Sequence, residues 1–218
     1  MKEYIKDNMK LYNGDCMEGM SEYQDNYFDL AIVDPPYGIG IDGQKEYING
    51  KKSDRKLHVK KDWDNSTPDQ KYFNEIERVS KNQIIWGANY FVQFLSKGSK
   101  GWVVWDKGQH GLTMSDCELA YSSLQKPTRV TVFNRVELLK DGTIHPTQKP
   151  VKLYSWLLRN YSSPEHKILD THLGSASHAI AWHYFQKGGE FVGFELDEEY
   201  FDKSIKRIEQ ETAQLSFL

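Results

Sequence analysis

Short apolar runs punctuate the chain at Lys10–Asn13, Phe28–Val33, Gln83–Trp86, Trp102–Trp105, Lys167–Leu169 and Phe191–Phe194. Bounded runs of this length, rich in β-branched and aromatic residues, predict buried strands. Between several of them the apolar spacing changes to that of a helix. Phe201, Ile205 and Ile208 follow the last run at the i, i+4, i+7 positions of one helical face. Residues Ala179–Lys187 have helical length with Gly188 and Gly189 as a stop, and a third helix is predicted over Val151–Asn160. Strands that alternate with helices predict an α/β fold built on a mostly parallel sheet.

In such sheets ligands bind beyond the carboxyl ends of the strands, where loops vary freely and helix N-termini point outward. Four acids stand there: Asp15 after the first run, Asp34 after the second, Asp170 after the Lys167 run and Glu195 after the Phe191 run. That edge suits a cationic ligand carrying a ribose, such as a sulfonium nucleoside. Around Gly174 the segment Asp170–Ser177 makes a small-residue turn from strand to helix, and Glu195 follows Gly174 by 21 residues at the end of the next strand. This is the spacing of a nucleotide-binding βαβ unit, in which glycine admits the ligand and the acid accepts ribose hydroxyls. A turn that only lets a helix pack on the sheet gives the same pattern, because the full glycine fingerprint is absent.

A sharper feature is Asp34-Pro35-Pro36-Tyr37, directly after the apolar run that ends at Val33. Two prolines stop the strand and stiffen the turn. With the ladder ended, the carbonyl of Pro35 or Pro36 is free to accept a bond from a ligand amine. Asp34 adds a second acceptor and Tyr37 a stacking face, which together are what the exocyclic amine of a base needs. The alternative is a rigid strand-ending turn with no ligand.

Composition narrows these readings. The chain has 218 residues, 39% hydrophobic and 27% charged, which fits one globular domain and argues against wholesale disorder. No run approaches the ~18 apolar residues of a membrane span, and the first residues lack the apolar stretch of a signal peptide, so a cytoplasmic protein is expected. Cys16 and Cys117 form no paired motif, and the seven histidines show no ligand spacing, so no metal is assigned. The net charge of −3 hides a basic stretch. Between Lys45 and Lys61 seven cations, among them Lys51, Lys52, Arg55, Lys56, Lys60 and Lys61, stand against two acids. Such a stretch either holds phosphates or is a solvated loop.

With these motifs in place, the chain resembles the amino-methylating DNA methyltransferases of the Asp-Pro-Pro-Tyr type, in the permuted order where that motif precedes the cofactor loop. Besides Asp34–Tyr37, the stretches Asn13–Cys16, Trp86–Phe91, Val103–Lys107, His145–Pro150, Asp170–Ser177 and Gly193–Asp197 resemble the family's recurring motifs, in its order. The resemblance covers most of the chain. It implies a Rossmann-like, seven-stranded, circularly permuted methyltransferase sheet with helices on both faces, in a single domain over residues 1–218. It implies S-adenosyl-L-methionine as cofactor, with Asp15 and Cys16 at the adenine, Glu195 at the ribose, and Asp170, Gly174 and Ser175 at the methionine end, helped by Thr147 and Lys149. Asp34, Pro35, Pro36 and Tyr37 would be the catalytic residues. The family's loop usually carries Pro and Phe after its Asp and a further glycine, where this chain has Thr171, His172 and Ala176; alanine is compatible with the start of a helix.

The implied reaction is direct transfer of a methyl group to the exocyclic nitrogen of a flipped base in double-stranded DNA, as in restriction-modification systems. Adenine N6 is the expected target, because cytosine-N4 enzymes more often carry Ser at the position of Asp34. Cytosine-N4 methylation, an RNA or protein amine methyltransferase, and a catalytically silent nucleic-acid-binding module are the alternatives. Residues 39–65 are expected to form a basic DNA-contact loop, and about 125–143 a short recognition insert. So small a reader implies a short site, loose specificity or a homodimer.

Overall fold

The structure is a computed structural model that describes residues 2–41, 47–48, 51–52, 60–96, 98–111, 115–134 and 143–213. In chain order the elements are β1 (Lys2–Lys6), β2 (Met9–Asn13), α1 (Cys16–Ser21), β3 (Leu30–Val33), β4 (Tyr47–Ile48), β5 (Lys51–Lys52), α2 (Gln70–Val79) and β6 (Gln83–Trp86). They continue with β7 (Gly101–Asp106), β8 (Cys117–Ser122), β9 (Arg129–Val132), α3 (Val151–Tyr161), β10 (Lys167–Asp170), α4 (Ser177–Phe185), β11 (Glu190–Glu195) and α5 (Glu198–Ala213). Two short 3-10 turns, Ala88–Tyr90 and Val92–Phe94, follow β6.

One sheet carries the fold, in the order β1-β2-β11-β10-β3-β6-β8-β7-β9. Strands β2, β11, β10, β3 and β6 run parallel to one another. The expected seven strands are nine among the described residues. The excess comes from β1, which pairs antiparallel with β2, and from β9, which pairs in parallel with the outer edge of β7. Strand β8 lies antiparallel between β6 and β7. A small hairpin of β4 and β5 falls inside the basic segment.

Helices cover both faces, and the alternation within β3 shows why. Leu30 and Ile32 join one buried cluster with Leu153 and Leu157 of α3, Ile180 of α4 and Phe201 and Ile208 of α5. Ala31 and Val33 point the other way, into a cluster with Met20 of α1 and Tyr72, Phe73 and Ile76 of α2. All four residues of β3 are buried, as a central parallel strand requires. Helix α1 is started by the Asp15 side chain, which accepts from Met17 N at 2.8 Å, and α2 by Asp69, which accepts from Lys71 N at 2.9 Å.

The order of strands reverses at the β3–β10 boundary. From β10 the chain continues leftward to β11, whereas from β3 it continues rightward to β6. Loops leaving two such strands diverge to opposite faces and open a crevice between them. Asp34 and Asp170 stand at that boundary, Glu195 one strand and Asp15 two strands away, so the four acids do share one edge.

Candidate active site

A cavity of about 480 Å³ opens at the strand reversal. Gly14, Asp15, Cys16, Glu195 and Asp197 line one end, the Leu173–Ser175 loop lies along it, and Asp34, Pro36 and Lys149 line the other end. Trp63, His145 and Tyr200 are also part of the wall. The size lies within the range of small-molecule sites.

At the first end, Glu195 is held by two backbone donors: Gly174 N to Oε2 at 2.8 Å and Asp197 N to Oε1 at 2.9 Å. Burial nevertheless pushes its carboxyl up to about 7. Gly174 is in the left-handed region (φ 53°), which favours glycine, and a Cβ added there would come into ordinary contact, at 3.8 Å, with the His145 ring and the His172 carbonyl. Burial raises the Cys16 thiol to about 12, which makes it an inert wall rather than a nucleophile.

Asp170 differs from expectation. It does not line the cavity; its Oδ1 accepts from His172 N at 3.0 Å and its Oδ2 pairs with His178 Nδ1 at 3.0 Å, so the carboxylate shapes the loop from behind. The His172 ring, lowered to about 4 by burial, is neutral near pH 7 and lies 2.9 Å from Thr171 Oγ1. Arg207 of α5 donates to the Ser175 carbonyl at 2.7 Å and to Ser177 Oγ at 2.9 Å, bracing the same loop. Ala176 is not in a helix-start conformation. It is fully buried with φ 59°, the left-handed region, where its methyl costs about 1–2 kcal/mol that a glycine would not incur.

The other end is a charge cluster. Asp34 Oδ2 accepts from Lys149 Nζ at 2.5 Å and Oδ1 from the Tyr37 hydroxyl at 2.7 Å. Lys149 reaches Glu118 Oε2 at 3.0 Å, and Lys107 reaches Glu118 Oε1 at 3.0 Å. Burial works against the charges of Asp34, Glu118 and Lys149. It raises Asp34, with Lys149 pulling the other way, whereas Glu118 overcomes its own burial through two ammonium partners and falls to about 2. Lys149, expected at the methionine carboxylate, is paired instead with Asp34 and Glu118; Thr147 lies nearby in the cavity wall with its hydroxyl 3.1 Å from His145 Nδ1.

Tyr37 is also placed differently from a free stacking platform. Its ring stacks on Tyr90 at 5.1 Å and 18°, which occupies one face. A Cβ on Gly87 would come within 2.1 Å of that ring, so glycine is required there. Asp64, 2% exposed, fixes the turn: its Oδ1 accepts from Tyr37 N and Gly38 N and its Oδ2 from Ile41 N, all at 2.8 Å. No described residue donates to the Pro35 or Pro36 carbonyl.

Of the basic residues, Lys61 lines the cavity, bound to Asp197 at 2.8 Å and Glu199 at 2.6 Å, and Lys60 pairs with Asp62 at the surface. Lys51 and Lys52 form β5, while Arg55 and Lys56 lie outside the described residues, as do residues 135–142 of the expected insert. The rest of that insert includes the edge strand β9. Among the described residues no group of His, Cys, Asp and Glu is placed to hold a metal ion, and no helix is long and apolar enough to cross a membrane.

The family model described as DNA methylase, of the N6/N4 type, matches residues 85–207, more than half of the chain. The chain belongs to this family. Its methyl donor is S-adenosylmethionine. Over 253 aligned positions the methylase is 23% identical to the type II methyltransferase M2.MboI of Moraxella bovis, covering 95% of this chain and 90% of that one. A 91-residue stretch, 41% of this chain and 30% of the relative, is 33% identical to the DNA adenine methyltransferase YhdJ of Escherichia coli K12. The fold is similar to that of the cytosine-N4-specific PvuII DNA methyltransferase, with a TM-score of 0.64 at 13% identity over 96% of this chain and 92% of that one.

The cavity suits the donor. Its Glu195 end offers a carboxylate of the kind that accepts ribose hydroxyls, the Leu173–Ser175 turn runs along its wall, and the Asp34 end pairs an acid with a lysine. The sequence singled out Asp15, Asp34, Gly174 and Glu195 but missed Glu118, Lys107, Asp64, Trp63 and Tyr200. Only Lys107 falls within a quoted motif, and nothing near Glu118 in the sequence marks it.

Proposed function

We propose that this methylase transfers a methyl group to the N6 amine of an adenine flipped out of duplex DNA. The observation that carries the reading is Asp34 at the cavity's end, beside prolyl carbonyls to which no described residue donates. Bound S-adenosylmethionine supplies an electrophilic methyl on a sulfonium. Asp34 and a carbonyl of the Pro35-Pro36 pair accept the two amine hydrogens and turn the nitrogen lone pair toward that methyl, an effect of orientation and electrostatics. The new N–C bond forms as the S–C bond breaks, and the positive charge passes to nitrogen until its proton leaves. A base that stacks on Tyr37 uses the face opposite Tyr90.

Adenine is favoured over cytosine by Asp34 itself and by the partial likeness to a DNA adenine methyltransferase. Lys51, Lys52, Arg55, Lys56 and Lys60 would hold the DNA backbone, and Asp15, Cys16, Gly174, Ser175 and Glu195 the cofactor. To test this, the purified chain is incubated with labelled S-adenosylmethionine and unmethylated duplex, and the digested nucleosides are identified by mass spectrometry. N6-methyldeoxyadenosine that is absent with Asp34→Ala is the expected product. N4-methyldeoxycytidine would overturn the adenine assignment, and no labelled nucleoside would overturn the reading as a whole.

A further inference from the structure

The charge cluster at the end of the cavity is balanced. It contains two acids, Asp34 and Glu118, and two lysines, Lys107 and Lys149, which are 7% and 4% exposed. Lys149 bridges the acids, at 2.5 Å from Asp34 and 3.0 Å from Glu118. Of the four, only Asp34 and Lys149 line the cavity; Glu118 and Lys107 are one contact removed from it. Strand direction explains how Glu118 arrives there. Strand β8 runs antiparallel to its neighbours, so its first residues lie at the carboxyl edge, and Glu118 sits opposite Trp105 near the end of β7.

The methyl donor is a cation at sulfur, whereas the thioether that remains after transfer is not. If the acceptor amine is held at Asp34, as proposed above, the sulfur must come to that end of the cavity and therefore close to the Lys149 ammonium. Like charges a few ångströms apart in a partly desolvated site repel strongly enough to change affinity by more than tenfold. We propose that Glu118 is a positioning residue that sets the charge of the cofactor site: by neutralising Lys149 from behind, it admits the sulfonium and governs the preference for S-adenosylmethionine over S-adenosylhomocysteine. Its action is through Lys149 and needs no contact with either molecule.

Calorimetric binding of S-adenosylmethionine and S-adenosylhomocysteine at low ionic strength, without DNA, tests this with the full chain. Glu118→Gln adds one positive charge to the cluster and is expected to weaken the sulfonium compound at least tenfold while changing the thioether less than threefold. Lys107→Met removes one positive charge behind the wall and is expected to shift the ratio the opposite way, and the double variant to return it to the wild-type value. Should Glu118→Gln fail to fold, the direction of the shift in Lys107→Met decides. Equal changes for both ligands, or shifts of the same sign in the two single variants, would overturn the proposal. Because no DNA enters the assay, an enzyme that leaves DNA unmethylated would defeat the adenine reading without deciding this one.

Discussion

Glu195 is buried against two backbone N–H groups, and its carboxyl still titrates near 7. Ionised, it would be the stronger acceptor for the ribose hydroxyls proposed to bind there, so a proton would compete with the cofactor. Affinity for S-adenosylmethionine is expected to rise about tenfold between about pH 6 and about pH 8, with proton release on binding, and Glu195→Gln to flatten the profile. In the absence of cofactor the sign is opposite for stability. The folded state holds the proton between the ordinary 4.5 and about 7, so stability falls as pH rises through that window and levels off above it. Calorimetry in buffers of different ionisation heat measures the proton release; a pH-independent affinity would contradict it. Asp34 and Glu195 were legible in the sequence because each ends an apolar run, and strand ends meet at one edge. Glu118 was not, because its place depends on the direction of a strand.

The elements read most clearly were those with uninterrupted apolar content: β3, β6, β10 and β11 lie where their runs predict, within a residue or two. Helix α3 spans Val151–Tyr161 against the expected Val151–Asn160, and α4 starts two residues earlier than Ala179 because the left-handed Ala176 ends the loop at that point. Strands β1, β8 and β9 escaped notice. Edge strands such as β9, with Val130 and Val132 exposed and only Thr131 buried, lack a buried apolar face, and β8 is half-buried at Cys117, Glu118 and Leu119 before it enters the core. One contact shows how closely helix and sheet are fitted. Gly19 in α1 faces the Phe194 ring of β11, and a Cβ there would fall 2.0 Å from it. Gly19→Ala is expected to destabilise the protein by about 1–3 kcal/mol, seen as a lower midpoint in urea unfolding; an unchanged midpoint would mean that α1 shifts freely on the sheet.

At the scale of the molecule, the permuted chain order brings the strand that leads to Asp34 beside the strand that leads to the Gly174 loop, so the proposed catalytic and cofactor-binding residues meet at the sheet's reversal point. On the proposed function, the basic segment would hold the DNA backbone. Changing Lys51 and Lys52 together to Gln is expected to reduce the salt dependence of DNA binding by about two units of slope while leaving cofactor affinity unchanged. Lys61→Gln should do the reverse, because its ammonium is bound to Asp197 and Glu199 at the cavity. Filter binding across a salt series with parallel cofactor titration separates the two; equal slopes for wild type and the double variant would remove β5 from the DNA surface. Sequence patterns could mark this segment's charge but not which lysine lines the pocket, since Lys61 differs from Lys60 only in what the fold sets opposite it.

The measurement that bears most directly on the whole account is single-turnover methyl transfer to duplex DNA at saturating cofactor, wild type against Asp34→Ala. A rate lower by about a hundredfold or more in a variant that still folds and binds S-adenosylmethionine is the result predicted for the acceptor that orients the amine. A rate within a few-fold of wild type would contradict it and move the chemistry away from the Asp34 end of the cavity.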